Sequence, residues 1–273
     1  MRLTYGWYQR SAAAVAVGLL GCEVRSGAVR VRVTEVEAYA GPEDSASHAR
    51  FDRPGRSKTM FGPAGHAYVY LCYGIHQMLN VVAHKPGEAG AVLIRSCELI
   101  RGHALVARRR GEVVRRLREG AWLKGPGNVG KGLGIDRAWD GHPLYRGGGL
   151  TIHEGEAPSK IGVGRRVGID FASSGARRRR WRFACAHTLD VTAPKQLRIM
   201  SRARVLSTIV TPRDEGRSRS RGLRLGRVHK QPAQVLGARD GGDGPVLVAD
   251  RCGSELVIHP CFERFACVWN LDG

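Results

Sequence analysis

Apolar residues recur at every second position along several stretches of the first 190 residues, which is the period of a β-strand with one buried face. The longest such stretch predicts a strand over residues 28–39. Its alternate positions carry three valines and then acidic and aromatic residues: Val29, Val31, Val33, Glu35, Glu37 and Tyr39. We expect these six side chains to share one face, so that a carboxylate enters a pocket from the core side of the sheet.

Other stretches predict short strands and short helices in alternation. We predict helices over 11–20 and 101–118, a short one opened by 41–44, and one that starts at 125–128. We predict further strands at 22–25, 66–73, 78–84, 90–97, 150–153, 160–169 and 181–186. Hairpins with interspersed short helices favour an α+β fold over a doubly wound sheet. The expected architecture is a single mixed domain with a curved antiparallel sheet, short helices and a β-hairpin that protrudes at Gly74.

The character of the sequence changes near residue 188. Residues 213–227 contain six arginines interleaved with serine, glycine and acidic residues. Hydrophobic periodicity weakens there, although 245–249 and 255–258 predict short strands. We therefore expect a domain over 1–187 and an Arg/Gly-rich extension over 188–273 that is partly disordered. A nucleic-acid-binding appendage and out-of-frame translation both explain this texture, and the sequence leaves both open.

The charge of the chain indicates a polyanionic partner. Lysine and arginine number 44 against 24 acidic residues, for a net charge of +20. Such an excess is typical of nucleic-acid-binding proteins and, less often, of proteins that bind anionic membranes. Only seven of these cations are lysine, so a general enrichment in arginine is the competing explanation.

Cysteine usage and hydropathy bear on the compartment. Seven cysteines without regular spacing do not form a disulfide framework, so we expect a reducing compartment. No apolar run reaches the roughly 18 residues that a transmembrane helix needs. The segment 19–22 imitates a lipoprotein cleavage site at Cys22, which keeps a membrane lipoprotein as an alternative. The apolar run before it is short and rich in alanine, so we favour a short buried helix that ends at Gly21.

Aromatic and polar residues gather on two of the predicted strands. Tyr68 and Tyr70 share one face of the strand that runs into the Gly74 turn, and Tyr73 at its tip points the other way. The upstream strand and its flank add three more groups: Glu37, Tyr39 and His48. A carboxylate, ring platforms, an imidazole and a protruding wedge are the groups needed to extrude a base from DNA.

Several ordered blocks of the chain resemble the alkyladenine (3-methyladenine) DNA glycosylase family. The two longest are VEAYAGPED at 36–44, followed by Ser47-His48, and MFGPAGHAYVY at 60–70. Shorter blocks follow at 73–74, 79–82, 91–95, 125–128, 167–170 and 181–183. The resemblance covers about residues 5–187. The chain departs from the family in the basic run 177–180 and in Leu99, where the family often has proline.

The resemblance implies hydrolysis of an N-glycosidic bond through an oxocarbenium-like sugar. Glu37 is then the candidate general base, which takes a proton from water and stabilises the positive charge that develops on the sugar. A strand glutamate held in a salt bridge is the competing interpretation. Glu35 is expected on the same face but lies outside the matched position.

Tyr39, His48 and Tyr70 are expected to form the pocket that stacks on the extruded base. An alkylated purine is positively charged, so electron-rich rings attract it through cation–π contacts. Such a cation is also a good leaving group, and strong acid assistance is unnecessary. By resemblance, Asn80 lies at the pocket wall and excludes the exocyclic amino group of normal guanine.

Two further residues are expected to handle the DNA itself. Tyr73 would enter the minor groove and fill the gap left by the flipped nucleotide. Arg95 would hold the phosphate of that nucleotide or position the water. The competing interpretations are a hairpin tyrosine packed on the body of the protein and a solvated strand arginine.

The sequence thus predicts a monofunctional DNA glycosylase, free of metal and other cofactors, that removes alkylated purines from double-stranded DNA in base-excision repair. No catalytic-lysine motif is present, so strand cleavage is not expected. We expect a cytoplasmic, nucleoid-associated monomer that makes no membrane contact and binds DNA in a strongly salt-dependent way. The alternative is a non-catalytic protein on the same scaffold that binds damaged DNA or RNA.

Overall fold

The computed structural model describes residues 1–51, 55, 57–111, 117, 121–186, 188–210, 247–252 and 255–260. The chain divides into two compact units, Met1–Glu215 and Gly216–Gly273.

Among the described residues, ten strands of the first unit form one open sheet. They are β1 (Glu23–Ser26), β2 (Val29–Tyr39), β3 (Ala67–Cys72), β4 (His76–Val82), β5 (Ala91–Arg101), β6 (Leu123–Lys124), β7 (Leu150–His153), β8 (Lys160–Gly164), β9 (Arg182–Cys185) and β10 (Arg198–Ser201). The main order is β10-β8-β9-β2-β5-β4-β3, while β1 pairs with β2 and β7, and β6 pairs with β5. These pairs are antiparallel. The predicted α+β class is confirmed.

Short helices accompany the sheet: α1 (Ala12–Leu19), α2 (His103–Arg110), α3 (Pro126–Leu133), α4 (Ser174–Arg178) and α5 (Arg202–Val210). Helix α1 begins where Ser11 Oγ accepts from the Ala14 N–H at 3.3 Å, and it lies almost wholly inside the core. Gly21 follows it with a φ of 86°. The prediction of a short buried helix before Cys22 is therefore confirmed.

Two predicted elements end earlier than expected. Helix α2 stops at Arg110, because Gly111 has a φ of 82° that a helix does not accommodate. The prediction for 112–116 and 118 lies outside the described residues. Strand β8 stops at Gly164 rather than at 169, because Arg166 is drawn inward by buried polar partners instead of continuing the strand.

The expectation that Glu37 and Tyr39 share a face with the valines of β2 is wrong. Val29, Val31 and Val33 lie in the main hydrophobic core, and so do Val36 and Ala38, so the core-facing positions change from odd to even numbers. The pairing of β2 with β5 shifts register on both sides of Glu35. Such a bulge redirects the side chains that follow it. As a result, Glu37 and Tyr39 lie on the opposite face of the sheet from the core.

The first unit continues beyond residue 187, where we expect the extension to begin. Strand β10 pairs with β8, with Met200 opposite Ile161, and Val205 of α5 is 3 % exposed within the main core. A four-residue strand and a helix with one deeply buried side chain leave little periodicity in the sequence. In the second unit, β11 (Leu247–Cys252) and β12 (Glu255–Pro260) pair as an antiparallel hairpin. They fall where short strands are predicted.

Candidate active site

A row of five side chains crosses the sheet on the face away from the main core. Paired positions on β3, β4, β5, β2 and β9 bring together Tyr68, Asn80, Leu93, Glu37 and Arg182. The residues that flank them along each strand belong to the main core. Because neighbours in a strand face opposite sides, the row forms the floor of a separate surface. Two predicted site residues, Glu37 and Asn80, therefore share one surface.

Glu37 is fully buried and held by three donors. The Tyr39 hydroxyl donates to Oε2 at 2.8 Å, and the Val167 N–H donates to Oε1 at 2.9 Å. Nη1 of Arg95 lies 3.2 Å from Oε2. A carboxylate offers roughly four acceptor positions. Counting only donors among the described residues, one position on Oε1 stays open to a water molecule.

Glu35 is also fully buried, but its oxygens are saturated. Five donors reach it at 2.6–3.1 Å: Arg95 Nε, Arg182 Nε, Ser96 Oγ, Thr192 N and Thr192 Oγ1. Burial by itself would raise the pKa of Glu35, but Arg95, Thr192 and Arg182 outweigh it and hold the pKa below its ordinary value. Glu35 therefore offers no acceptor position to water.

Arg95 connects these two acids. Its Nε lies 2.9 Å from Glu35, its Nη1 lies 3.2 Å from Glu37, and the residue is 7 % exposed. Burial alone would lower the pKa of Arg95, but the charges of Glu37 and Glu35 outweigh it and raise the pKa. Arg95 is thus a permanently charged group fixed beside Glu37 rather than a solvated strand arginine.

The predicted ring residues lie close together beside this row. The His48 ring centroid is 4.6 Å from that of Tyr70, and the Tyr68 and Tyr70 centroids are 5.4 Å apart. Tyr39 and Tyr70 pack against the same small buried cluster. Burial, followed by the charge of Glu37, raises the pKa of Tyr39 well above its ordinary value, so its hydroxyl remains a donor.

Tyr68 belongs to this group although it is not among the predicted site residues. Its hydroxyl lies 2.8 Å from Nδ1 of His48, and it is 2 % exposed. The signal was its shared strand face with Tyr70. Asn80 lies beside Tyr68 in the row, and its Nδ2 donates to the Tyr68 carbonyl at 3.0 Å. The hydrogen bond fixes the Asn80 amide at the edge of the ring group.

The β3–β4 hairpin ends in an exposed apolar tip. Tyr73 is 88 % exposed and Ile75 is 74 % exposed, with Leu71 partly exposed below them. Tyr73 and Gly74 have φ values of 50° and 68°, and the Ile75 N–H donates to the Cys72 carbonyl. Positive φ at both central residues is what a type I′ turn requires, and it is strained for tyrosine. The chain therefore holds an unpacked aromatic ring at a strained position, which excludes the interpretation of Tyr73 as packed on the body.

A buried ion pair, not predicted from the sequence, supports the site from one side. Both Nη atoms of Arg166 bond the Asp44 carboxylate, at 2.5 and 2.9 Å, and neither side chain is exposed. The Arg166 guanidinium also lies 4.8 Å from the Tyr39 ring centroid. The pair fixes the loop after β8, so that the Val167 N–H meets Glu37.

The Asp44 carboxylate holds the turn that is predicted at 41–44. It accepts from the N–H groups of Ala40 and Ala46, both at 3.2 Å. His48 begins a 3-10 helix, His48–Phe51, directly after this turn. Burial would raise the pKa of Asp44, but Arg166 and these two N–H groups outweigh it and lower the pKa.

Two other kinds of site are absent from the described part of the chain. There, no group of three or more histidine, cysteine, aspartate or glutamate side chains has an arrangement that could hold a metal ion. None of the described helices combines the length and apolar character needed to cross a membrane.

Asp190 makes stability depend on pH. The residue is 6 % exposed, and burial together with Glu98 raises the pKa of Asp190 to about 6. The pKa in the unfolded chain is about 3.9. A carboxyl group whose folded pKa is raised favours the folded state fully below its unfolded pKa, and this contribution is lost as the pH rises through about 6.

Asp190→Asn should therefore stabilise the protein only at higher pH. We expect the free energy of unfolding to rise by about 1–3 kcal/mol at pH 8 and to change much less at pH 4. Urea denaturation at the two pH values measures this difference. A gain of equal size at both would show that the buried charge is not its cause.

Comparison with known proteins agrees with this geometry. Residues 6–188 match the family model for methylpurine-DNA glycosylase. The chain is 48 % identical over 190 residues to a DNA-3-methyladenine glycosylase of Arabidopsis thaliana, covering 69 % of this chain and 73 % of that protein. It is 44 % identical over 192 residues to a putative 3-methyladenine DNA glycosylase of Nitrosococcus oceani, covering 70 % and 93 %. A protein of the same name from Frankia casuarinae is 40 % identical over 201 residues, covering 69 % and 91 %.

The chain belongs to the methylpurine-DNA glycosylase family. The family resemblance predicted from the ordered sequence blocks is confirmed. The protein is accordingly a monofunctional DNA glycosylase of base-excision repair.

Proposed function

We propose that Glu37 activates the water that releases alkylated purines, such as 3-methyladenine, from double-stranded DNA. The observation that carries this proposal is the open acceptor position on Oε1 of Glu37, beside a group of aromatic rings. The water gives a proton to Glu37 while its oxygen bonds the anomeric carbon. The N-glycosidic bond breaks, its electron pair leaves with the base, and an abasic site remains.

The residues around Glu37 have separate roles in this step. Arg95 and the Val167 N–H hold the two carboxylate oxygens, so that the remaining position points to the water. Tyr39, His48 and Tyr70 stack on the flipped base, and a positive charge on that base strengthens each tyrosine contact by about 0.5–2 kcal/mol. Asn80 lies at the pocket wall, where its fixed amide excludes the amino group of guanine.

Base release from methylated duplex DNA tests the proposal. Released bases are separated by chromatography, with 3-methyladenine, 7-methylguanine, hypoxanthine and ethenoadenine as standards, and with EDTA present to test metal independence. We expect release of the positively charged methylpurines in particular, because a cationic base needs no acid at the leaving group. No release of any of them would favour the non-catalytic DNA- or RNA-binding alternative.

Tyr73 should matter for duplex DNA more than for unpaired DNA. Tyr73→Asn removes the ring, while asparagine tolerates the positive φ and an Asn-Gly pair suits a type I′ turn. We expect base release from a duplex to slow about 10- to 100-fold, because flipping a paired base costs a few kcal/mol that the wedge offsets.

The matched substrate for this variant is the same lesion opposite a gap, where no base pair must be broken before the nucleotide is extruded. Release there should stay within about threefold of the wild-type rate. Equal slowing on both substrates would show that Tyr73 supports the pocket rather than the flip.

A basic cleft next to the site is suited to the DNA backbone. The cleft has a volume of about 420 Å³, and its lining residues are Arg165, Arg166, Ile169, Asp170, Ser174, Arg177 and Arg178. Arg166 is neutralised by Asp44, which leaves three arginines against one acid. Arg165 and Arg166 line the cleft, and the next residue, Val167, donates its N–H to Glu37. A phosphate that flanks the sugar at Glu37 would therefore lie within reach of this cleft.

Arg178→Gln should reduce the salt dependence of DNA binding. Loss of one phosphate contact lowers the slope of log K against log salt by about 0.9. Arg108→Gln is the matched control, since Arg108 is an exposed arginine on α2, which packs with the main core on the other face. Identical slopes for both variants and the wild type would exclude the cleft as a phosphate contact.

The proposed oligomeric state and cellular location follow from the DNA substrate. We expect a monomer that works on chromosomal DNA in the cytoplasm, associated with the nucleoid and without a cofactor. Light scattering with and without a lesion-containing duplex measures the stoichiometry.

A further inference from the structure

Glu35, Arg95, Arg182 and Glu37 form a buried cluster with two negative and two positive charges. The side chains of Glu35, Glu37 and Arg182 are 0 % exposed, and that of Arg95 is 9 % exposed. Burial of a charge is expensive unless it is paired and hydrogen-bonded. The two acids of the cluster differ in their hydrogen bonding. Both contact Arg95, but only Glu35 has all its acceptor positions filled by donors.

We propose that Glu35 is a positioning residue for base release, and that Thr192 locks it in place. This inference rests on the proposed role of Glu37. Glu35 holds Arg95 through Nε at 2.9 Å, which leaves Nη1 to meet Oε2 of Glu37 at 3.2 Å. Without Glu35, the guanidinium would pair with Glu37 alone and could cover the position reserved for water.

The lock comes from residues beyond the part of the chain that matches the family. Thr192 donates to Glu35 through its N–H at 2.6 Å and its Oγ1 at 2.7 Å, and it lies past residue 188, where the family match ends. Nη2 of Arg182 bonds both the carbonyl and Oγ1 of Thr192. Segment 190–196 therefore contacts two members of the cluster, Glu35 and Arg182.

The electrostatic consequence distinguishes positioning from simple support of the fold. Glu35 places a second negative charge next to the arginine that Glu37 also uses. Without the charge of Glu35, Arg95 has Glu37 as its single acidic partner among the described residues. The stronger pairing stabilises the ionised form of Glu37 and makes Glu37 a weaker base. The rate at high pH should fall, while the acid limb of the pH–rate profile should move to lower pH.

The test compares Glu35→Gln, Thr192→Val and Thr188→Val in the full chain. Thr188→Val is the matched control, because Thr188 lies just before segment 190–196 and its hydroxyl contacts Asp190 instead of Glu35. Single-turnover base release is measured from pH 4 to 9 with saturating enzyme. We expect a loss of about 10- to 100-fold for Glu35→Gln and a smaller loss for Thr192→Val, with DNA affinity unchanged, because misplacing a reacting group by about 1 Å has effects of this size.

A second readout does not depend on activity. Hydrogen exchange at the Arg95 Nε–H, followed by NMR, reports the hydrogen bond to Glu35 directly. It should be slow in the wild type and in Thr188→Val, and at least about tenfold faster in Glu35→Gln and Thr192→Val. If Glu35→Gln does not fold, Thr192→Val alone decides.

The outcomes separate this inference from the proposed function. Unchanged rate, pH profile and exchange in Thr192→Val would overturn the positioning role. No base release by the wild type, or full release by Glu37→Gln, would overturn the role of Glu37. The exchange rates would still report whether Thr192 locks Glu35 against Arg95. A rate that falls only in proportion to the folded fraction, with an unmoved acid limb, would also count against positioning.

Discussion

Glu37→Gln should nearly abolish base release while leaving DNA binding intact. Glutamine keeps the size of the side chain but cannot accept a proton from water, and general base catalysis contributes typically about 10²–10⁴-fold to a rate. It also presents an amide N–H₂ to a site where three donors already converge on the carboxylate. Single-turnover release from methylated duplex DNA, beside a binding isotherm on the same DNA, measures both quantities.

Glu23→Gln provides the control for Glu37→Gln. Glu23 lies on β1 and pairs with Arg25 at 3.0 Å, away from the row of side chains that contains Glu37. This variant should release base at the wild-type rate. Equal release by the wild type and Glu37→Gln would leave a glycosylase but remove Glu37 from its role. Loss of both release and binding in Glu37→Gln would indicate a damaged fold rather than a missing base.

Asp44→Ala should cause a large loss of stability. It leaves Arg166 buried without its carboxylate partner, and breaking one side of a buried ion pair costs about 3–5 kcal/mol. Because Arg166 fixes the loop that carries Val167, base release should fall as well. The free energy of unfolding in urea and the single-turnover rate measure the two effects.

The pH dependence of this loss has a defined sign. The pKa of Asp44 is lowered in the folded protein, so its contribution is present above the unfolded value of about 3.9 and is lost as the pH falls through the lower folded value. The difference between Asp44→Ala and the wild type should therefore shrink in acid. As a control, Glu154→Ala breaks an exposed pair with the N-terminal amine and should change stability by less than about 1 kcal/mol.

A double-variant cycle separates the pair from the packing around it. Asp44→Ala combined with Arg166→Met removes both charges and should be less destabilised than Asp44→Ala alone, because no unpaired charge remains. Additive losses would show that the two side chains stabilise the fold independently.

The strands and most of the site could be predicted because their signals are local. Alternation predicts β2, β3 and β4 to within two residues at each end. The ring residues and Glu37 lie within two ordered blocks that resemble a known family. The face reversal in β2 was also present in the sequence, since its apolar positions move from 29, 31 and 33 to 36 and 38. A strict two-residue period conceals such a bulge.

The remainder depends on contacts between distant parts of the chain. Asp44 and Arg166 are separated by 122 positions, and Glu35 and Thr192 by 157. A charged residue is expected to be solvated unless its distant partner is known, so neither pair has a local signature. The strain at Tyr73 is likewise a property of the folded hairpin, although the glycine beside it marks the turn.

The end of the family match and the end of the folding unit are different places. The match stops at residue 188, whereas β10 and the core side chain Val205 lie beyond it. A chain trimmed at the family boundary for crystallisation would lose two donors to Glu35 and expose β8 as an edge strand open to association. A shortened form that keeps residues 1–210 retains the sheet edge and the buried acid together.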